Sequence, residues 1–264
     1  MKNNTTTDYK TINFPYAEKL IFEHPKETFP ITNASSIALK AISKNYKLLK
    51  GIGIDWGCGC GCLGIHAAKI AQVNRIFGLD INEKNISISH VNSIKNDITE
   101  KCSFYRSDSF IPYKLYEKEI IDANKGKIDF ILANPPSSPN DDGFSFRRLI
   151  LNQANEYLSK DGVIFLNVSS QYGIDRISEL NSGPYFFGNI LESTDWEEFD
   201  LHRADLYDYI KNYIKEENES GCKYEFFDTS TKKIINANDA LEKFRKNGEI
   251  PHTKWQVYIF KRKK

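Results

Sequence analysis

The sequence carries no excess of either charge: 36 Lys and Arg stand against 35 Asp and Glu, a formal net charge of +1 over 264 residues. Binding along a nucleic-acid backbone draws on a surplus of cations that release counterions from phosphates, so a long nucleic-acid footprint is disfavoured. Also missing is any apolar run near the roughly 18 residues that cross a bilayer. The opening segment, Met1 to Lys10, is polar and has no apolar signal core. From both absences, a cytoplasmic protein without a membrane role is expected. There is no internal repeat, no extended low-complexity tract, and no serine elbow, because Gly53-Ile-Asp-Trp-Gly57 holds Asp55 where the nucleophile would stand.

Cysteine is sparse and odd in number, five in all. Three of them, Cys58, Cys60 and Cys62, alternate too closely to bridge one another without severe strain, which fits a reducing compartment. With His66 they suggest a metal site, yet structural zinc ligands are normally separated by two or more residues so that they converge. No metal is therefore expected. His24, His90, His202 and His252 have no recognisable triad partners and read as surface or packing residues.

What is abundant is core material, with 40% hydrophobic and 13% aromatic residues. The length permits one large domain or a core with an appendage. Residues 1 to about 11 lack periodicity and are expected to fray. From Asn33 a helix is predicted, with Thr32 or Asn33 as its cap and Ile37, Ala38, Ala41 and Ile42 on one face. Beyond it, short apolar runs at Gly51 to Trp56, Arg75 to Asp80, Cys102 to Tyr105, Ile128 to Ala133 and Val163 to Val168 alternate with helical patterns. Those helices are expected at Leu63 to Ala71, Lys84 to Lys95 and Phe144 to Leu158. Such alternation predicts an α/β fold, an open and mostly parallel sheet with helices on both faces. From Tyr172 onward, strands are expected at Phe186 to Leu191 and Trp255 to Lys261. Helices are expected at Asp205 to Lys215 and Asn238 to Arg245, with a Glu-rich turn at Glu216 to Ser220.

The segment Ile52-Gly-Ile-Asp55-Trp-Gly57-Cys58-Gly59-Cys60-Gly61-Cys62-Leu-Gly64 runs from a buried strand through alternating glycines into a helix. Glycines at such a bend let the backbone approach a ligand and adopt positive φ. The dinucleotide fingerprint Gly59-x-Gly61-x-x-Gly64 is present but weak alone. Asp55 separates the readings, because a carboxylate aimed into the bend repels a pyrophosphate and suits a cation such as S-adenosylmethionine, with its ammonium and sulfonium.

A second segment, Asp129-Phe-Ile-Leu-Ala-Asn134-Pro135-Pro136-Ser137, ends the fourth strand on the same sheet edge, where ligands of open α/β sheets bind. An amide or aromatic amine nitrogen is a poor nucleophile because its lone pair is delocalised. The Asn134 side-chain oxygen and the Pro135 carbonyl can each accept one N–H and leave the lone pair pointing along the transfer line. Both bonds strengthen as positive charge grows on nitrogen. Pro136 keeps the loop stiff and without a donor.

Asp55 to Gly64 resembles motif I, and Asn134-Pro135-Pro136 resembles motif IV, of class I S-adenosylmethionine-dependent methyltransferases. The second motif is similar to that of the glutamine and adenine amino-methyltransferases, release-factor glutamine methyltransferases among them. Phe29-Pro30-Ile31-Thr32-Asn33 resembles the entry segment of that group. The resemblance implies a Rossmann-like fold with a C-terminal insertion or lid. It implies an N-terminal segment over 1–28, partly flexible, and a methyltransferase domain over 29–264. That domain would divide into a cofactor-binding core at 29–171 and C-terminal strands at 172–264, with a substrate-side insertion around 200–250. It also implies S-adenosylmethionine held by Asp55, Gly57, Cys58, Gly59, Gly61, Asp80, Ile81, Asp108, Ser109 and Asn134, with Asp80 at the ribose and Asp108 at the adenine amine. Asn134, Pro135 and Pro136 would then be catalytic.

Ser137 departs from the family's Tyr or Phe and removes the ring that stacks on a planar substrate. Phe144, Phe146, Tyr172 or a C-terminal aromatic are the possible substitutes. The acceptor expected is a nitrogen of a small molecule or protein side chain. The alternatives are an adenine or guanine of rRNA or tRNA and, from another class, a non-catalytic module that binds a nucleotide-like ligand.

Overall fold

The computed structural model describes residues 7–14, 17–25, 27–28, 31–138, 141–183 and 186–263, with side chains from residue 19 onward except those of 181 and 182. Phe29 and Pro30 of the entry segment lie outside the described residues. In chain order the strands are β1 (Thr7–Phe14), β2 (Ala17–Pro25), β3 (Gly51–Trp56), β4 (Val73–Asp80), β5 (Cys102–Asp108), β6 (Ile111–Pro112), β7 (Ile128–Ala133), β8 (Leu158–Ser169), β9 (Phe186–Ser193), β10 (Glu197–Glu198), β11 (Phe226–Asp228), β12 (Lys233–Ile235), β13 (His252–Thr253) and β14 (Trp255–Arg262). The helices are α1 (Asn33–Lys44), α2 (Cys62–Ala68), α3 (Glu83–Lys95), α4 (Leu115–Asp122), α5 (Ser145–Tyr157), α6 (Ile174–Ser182), α7 (Ala204–Ser220) and α8 (Ala237–Asn247).

Eight strands form the main sheet in the order β6-β5-β4-β3-β7-β8-β14-β9. Its central five, β5-β4-β3-β7-β8, pair in parallel, and β14 runs antiparallel between β8 and β9. The chain winds outward from β3 through β4 to β5, then crosses back to β7 on the other side of β3. The order therefore reverses between β3 and β7, and the crevice at a doubly wound sheet's reversal is where ligands sit.

Strand alternation explains both layers. Phe130 and Leu132 of β7 face the core shared with α1, α2 and α3, whereas Ile131 and Ala133 face the core shared with α5, α6, α7 and α8. Thr32 caps α1 through a reciprocal capping box with Ser35, and Asn82 caps α3 by accepting from the Lys84 N–H.

Two expectations change. Residues 7–11 do not fray but form β1, antiparallel to β2. Side chains on α3 hold the second strand: Asn92 and Asn96 exchange hydrogen bonds with the Glu23 and Ile21 backbones at 2.8 to 3.0 Å, and Asn92 also reaches the Cys60 carbonyl. Glu216 to Ser220 is no turn; α7 continues through it and stops at Gly221, whose φ is +75°. The stretch between β9 and β14 also builds a four-stranded sheet, β10-β13-β11-β12, that the sequence pattern did not show. No helix among the described residues is long and apolar enough to cross a membrane.

Candidate active site

A cavity of about 270 Å³ opens at the carboxyl ends of β3, β4 and β5, and a smaller one of about 20 Å³ adjoins it; Gly57, Gly59 and Asn134 line both. Of the expected cofactor residues, Gly57, Gly59, Asp80, Ile81, Asp108, Ser109 and Asn134 border the larger cavity. Asp55 and Cys58 border the smaller. Gly61 lies behind the bend, where a Cβ would come within 3.1 Å of Ile65 and Ser89. Pro136 lines the larger cavity, whereas Pro135 is buried.

The glycine bend is closed on itself. The N–H of Cys58 donates to the Leu79 carbonyl at 3.0 Å, that of Gly61 to the Cys58 carbonyl at 2.8 Å, that of Gly59 to Asp80 Oδ2 at 2.9 Å and that of Gly64 to Asp55 Oδ2 at 2.8 Å. Those four amides are not offered to a phosphate, which argues against a dinucleotide. The glycines serve shape instead. Gly57, at φ +65°, has no atom within 4 Å of a built Cβ, so its bare face opens onto the cavity, whereas a Cβ on Gly64 would meet Ile76 at 2.9 Å and Asp55 at 3.0 Å.

Asp55 is 1% exposed. Burial pushes its carboxyl up to about 7, the nearby Asp80 carboxylate adds to the rise, and the Gly64 N–H opposes it. Asp80 accepts from the Gly59 N–H, the Asn82 N–H and Asn85 Nδ2, so three of its lone-pair positions are already taken. Asp108 is exposed at the rim. Ser109, at φ +52°, accepts from Trp56 Nε1 at 2.9 Å and donates to Gln153 Oε1 at 2.6 Å, which fixes the cavity's indole wall.

Sequence reasoning missed several groups. Ser107 is 1% exposed, borders the larger cavity, and its hydroxyl has no partner among the described residues. Arg147 is 2% exposed and pairs with no carboxylate among the described residues. Its guanidinium donates instead to the carbonyls of Pro135 and Asn167 at 3.0 Å, Pro136 at 3.3 Å and Gly143 at 3.4 Å, beneath the Tyr172 ring at 4.8 Å. Asn167, on β8, donates to Asn134 Oδ1 at 2.7 Å. An Arg at helical spacing with Ile150, Leu151 and Ala154 and an Asn inside an apolar strand were the available signals.

Of the aromatics expected to replace one at position 137, only Phe146 borders the cavity, 6.0 Å from Trp56 between ring centroids. Phe144 and Tyr172 are buried about Arg147. Helix α7 and the segment after it support the same loop. Tyr213 stacks on Tyr224 at 4.1 Å, Tyr224 Oη donates to the Asp142 carbonyl and Asn212 Nδ2 to that of Asp141. Cys58, Cys60 and Cys62 are buried thiols, and among the described residues no group of three or more His, Cys, Asp or Glu is placed to hold a metal. His66 is buried, and desolvation lowers its imidazole to about 3.

Comparison with known proteins matches residues 30–183 to a family model described as the methyltransferase small domain. A release factor glutamine methyltransferase of Thermodesulfovibrio yellowstonii is 30% identical over 149 residues, covering 51% of this chain and 53% of the relative. An rRNA N(6)-adenosine-methyltransferase, metl-5 of Caenorhabditis elegans, is 29% identical over 83 residues, covering 31% and 36%. The chain thus spans about half or less of the length of these curated relatives. Among solved structures, P. horikoshii TYW2 in complex with MeSAdo superposes with a TM-score of 0.51 at 11% identity over 98% of this chain and 73% of the other. The M. jannaschii tRNA m1G37 methyltransferase superposes with 0.52 at 14% identity over 100% and 58%. These two show the Rossmann-like fold. With the family model covering more than half of its length, the chain belongs to the methyltransferase small domain family.

Proposed function

We propose that this member of the family uses S-adenosylmethionine to methylate a carboxamide nitrogen, with a protein glutamine side chain as the acceptor class. One observation carries the reading: the glycine-rich bend and the Asn134 amide border the same two adjoining cavities.

The residues present fit the cofactor. Gly57 offers a bare face, the Ser107 hydroxyl has no partner among the described residues, and Trp56, Leu79, Ile81, Phe146 and Leu149 make apolar walls suited to a flat base. Asp55 would hold its cationic end, Asp80 its ribose hydroxyls and Asp108 its adenine amine. When bound, the cofactor supplies an electrophilic methyl on a sulfonium.

The chain's own groups do the rest. Asn134 Oδ1 has one lone pair taken by Asn167 and one left to accept an N–H of the acceptor; the Pro135 carbonyl likewise keeps one beside Arg147. Two such bonds orient the nitrogen lone pair toward the cavity. They strengthen as the nitrogen becomes positive, which stabilises the transition state more than the ground state. The proton turns acidic after transfer, so no strong base is required. Ser137 in place of a ring favours a carboxamide over a stacked base, and the near-zero net charge agrees.

The test is incubation with methyl-labelled S-adenosylmethionine and separate protein, RNA and metabolite pools. Label in protein that acid hydrolysis releases as methylamine supports the proposal. Label in RNA favours the adenine reading that the likeness to metl-5 keeps open.

A further inference from the structure

We propose that Asn167 is a positioning residue that decides which end of the Asn134 amide faces the acceptor; this rests on the role given to Asn134 above. A planar amide presents an acceptor at one end and donors at the other, and the two ends are nearly equal in shape. If Asn134 turned over, an NH₂ would meet the acceptor nitrogen and no N–H could be received.

Two neighbours fix the choice. Asn167 Nδ2 donates to Asn134 Oδ1 at 2.7 Å, and Asn134 Nδ2 donates to Ser35 Oγ at 3.2 Å. Asn167 cannot itself turn over, because the same NH₂ also donates to the Ala34 carbonyl at 2.6 Å. Its own Oδ1 is buried without a partner among the described residues. Leaving a buried acceptor unmet is unfavourable, and Val163 and Phe165, which share the Asn167 face of β8, are apolar. An apolar side chain at 167 would avoid that cost, so the amide is present for its two donations.

The backbone of Asn167 contributes a second constraint. Its carbonyl accepts from Arg147 Nε at 3.0 Å, and Arg147 Nη2 in turn holds the Pro135 carbonyl at 3.0 Å. One residue of β8 is thereby tied to both oxygens proposed to receive the acceptor.

The test uses Asn134→Asp, whose carboxylate accepts at both ends and has no wrong orientation. Labelled-methyl incorporation into the protein pool is measured for the full-length wild type, Asn134→Ala, Asn167→Leu, Asn134→Asp and the Asn134→Asp/Asn167→Leu pair. S-adenosylhomocysteine affinity by calorimetry reports folding. The expected result is a loss of about tenfold or more in kcat for Asn167→Leu, KM and S-adenosylhomocysteine affinity staying within about threefold. In the Asn134→Asp background the same Leu substitution should cost less than about threefold. An equal loss in both backgrounds, or none in either, overturns the proposal. Asn167→Asp, the same size and a poor donor, replaces the Leu variant if that chain does not fold and should show the same loss. If Asn134→Ala works as well as the wild type, or the wild type labels nothing, the reading of Asn134 itself fails and this proposal falls with it.

Discussion

Arg147 Nη2 donates to the Pro135 carbonyl across 3.0 Å, joining a buried cation on α5 to the middle of the acceptor loop. With no carboxylate partner among the described residues, this guanidinium is neutralised only by the dipoles of the carbonyls it gathers and by the faces of Tyr172 and Phe144. The planar fork matters as much as the charge.

Arg147→Met should leave several buried carbonyls unmatched and cost about 2–4 kcal/mol of stability. Arg147→Lys keeps the charge but cannot reach the same set, so it should also destabilise. Thermal melts check both, and a Lys variant as stable as wild type would contradict the clamp.

Asp55 should make cofactor binding depend on pH. Its carboxyl lies near 7 in the folded chain against an ordinary 3.8, so the protonated form favours folding. That contribution is fully present below about pH 4 and is lost as pH rises through about 7. A cationic ligand favours the ionised form instead. S-adenosylmethionine affinity should therefore rise with pH toward about 7, by up to about tenfold per unit, while the melting temperature of the unliganded protein falls relative to Asp55→Asn. Calorimetry and melts between pH 5 and 8 check this; in Asp55→Asn both trends should flatten.

The glycines should separate by role. Gly64→Ala forces a methyl against Ile76 and Asp55 and should cost about 1–3 kcal/mol through overpacking. Gly57→Ala has room for the methyl and should cost about 1–2 kcal/mol through its positive φ. Gly57→Ala should nonetheless weaken S-adenosylhomocysteine binding more than its stability loss explains, because the methyl projects into open cavity.

Ser107→Ala removes a hydroxyl that no group among the described residues engages. The unliganded melting temperature should hold or rise, and S-adenosylhomocysteine affinity should fall about fivefold, the equivalent of one hydrogen bond. Unchanged affinity would remove Ser107 from the cofactor wall.

Much of this was legible in the sequence, and the reasons are specific. Short apolar runs bounded by turn residues fix the parallel strands, and the segments ending at Asp55, Asp80, Asp108 and Asn134 reach one sheet edge because every parallel strand points the same way. Arg147 and Asn167 were visible only as polar letters in apolar surroundings, since their partners are backbone carbonyls or lie 33 residues away. The β1–β2 hairpin escaped because side-chain amides of α3, distant in sequence, hold its second strand. The end of α7 was misplaced because Glu216 to Ser220 reads as a polar turn, although Glu is a good helix former and Gly221 marks the stop.

The most direct measurement is a crystal structure with S-adenosylhomocysteine. The expected result places its adenine between Ile81 and Phe146 near Asp108, its ribose at Asp80, and its sulfur beside Gly57 with the open side toward Asn134 Oδ1. A ligand seated elsewhere, or a sulfur shielded from Asn134, would contradict the assignment of this cavity to methyl transfer.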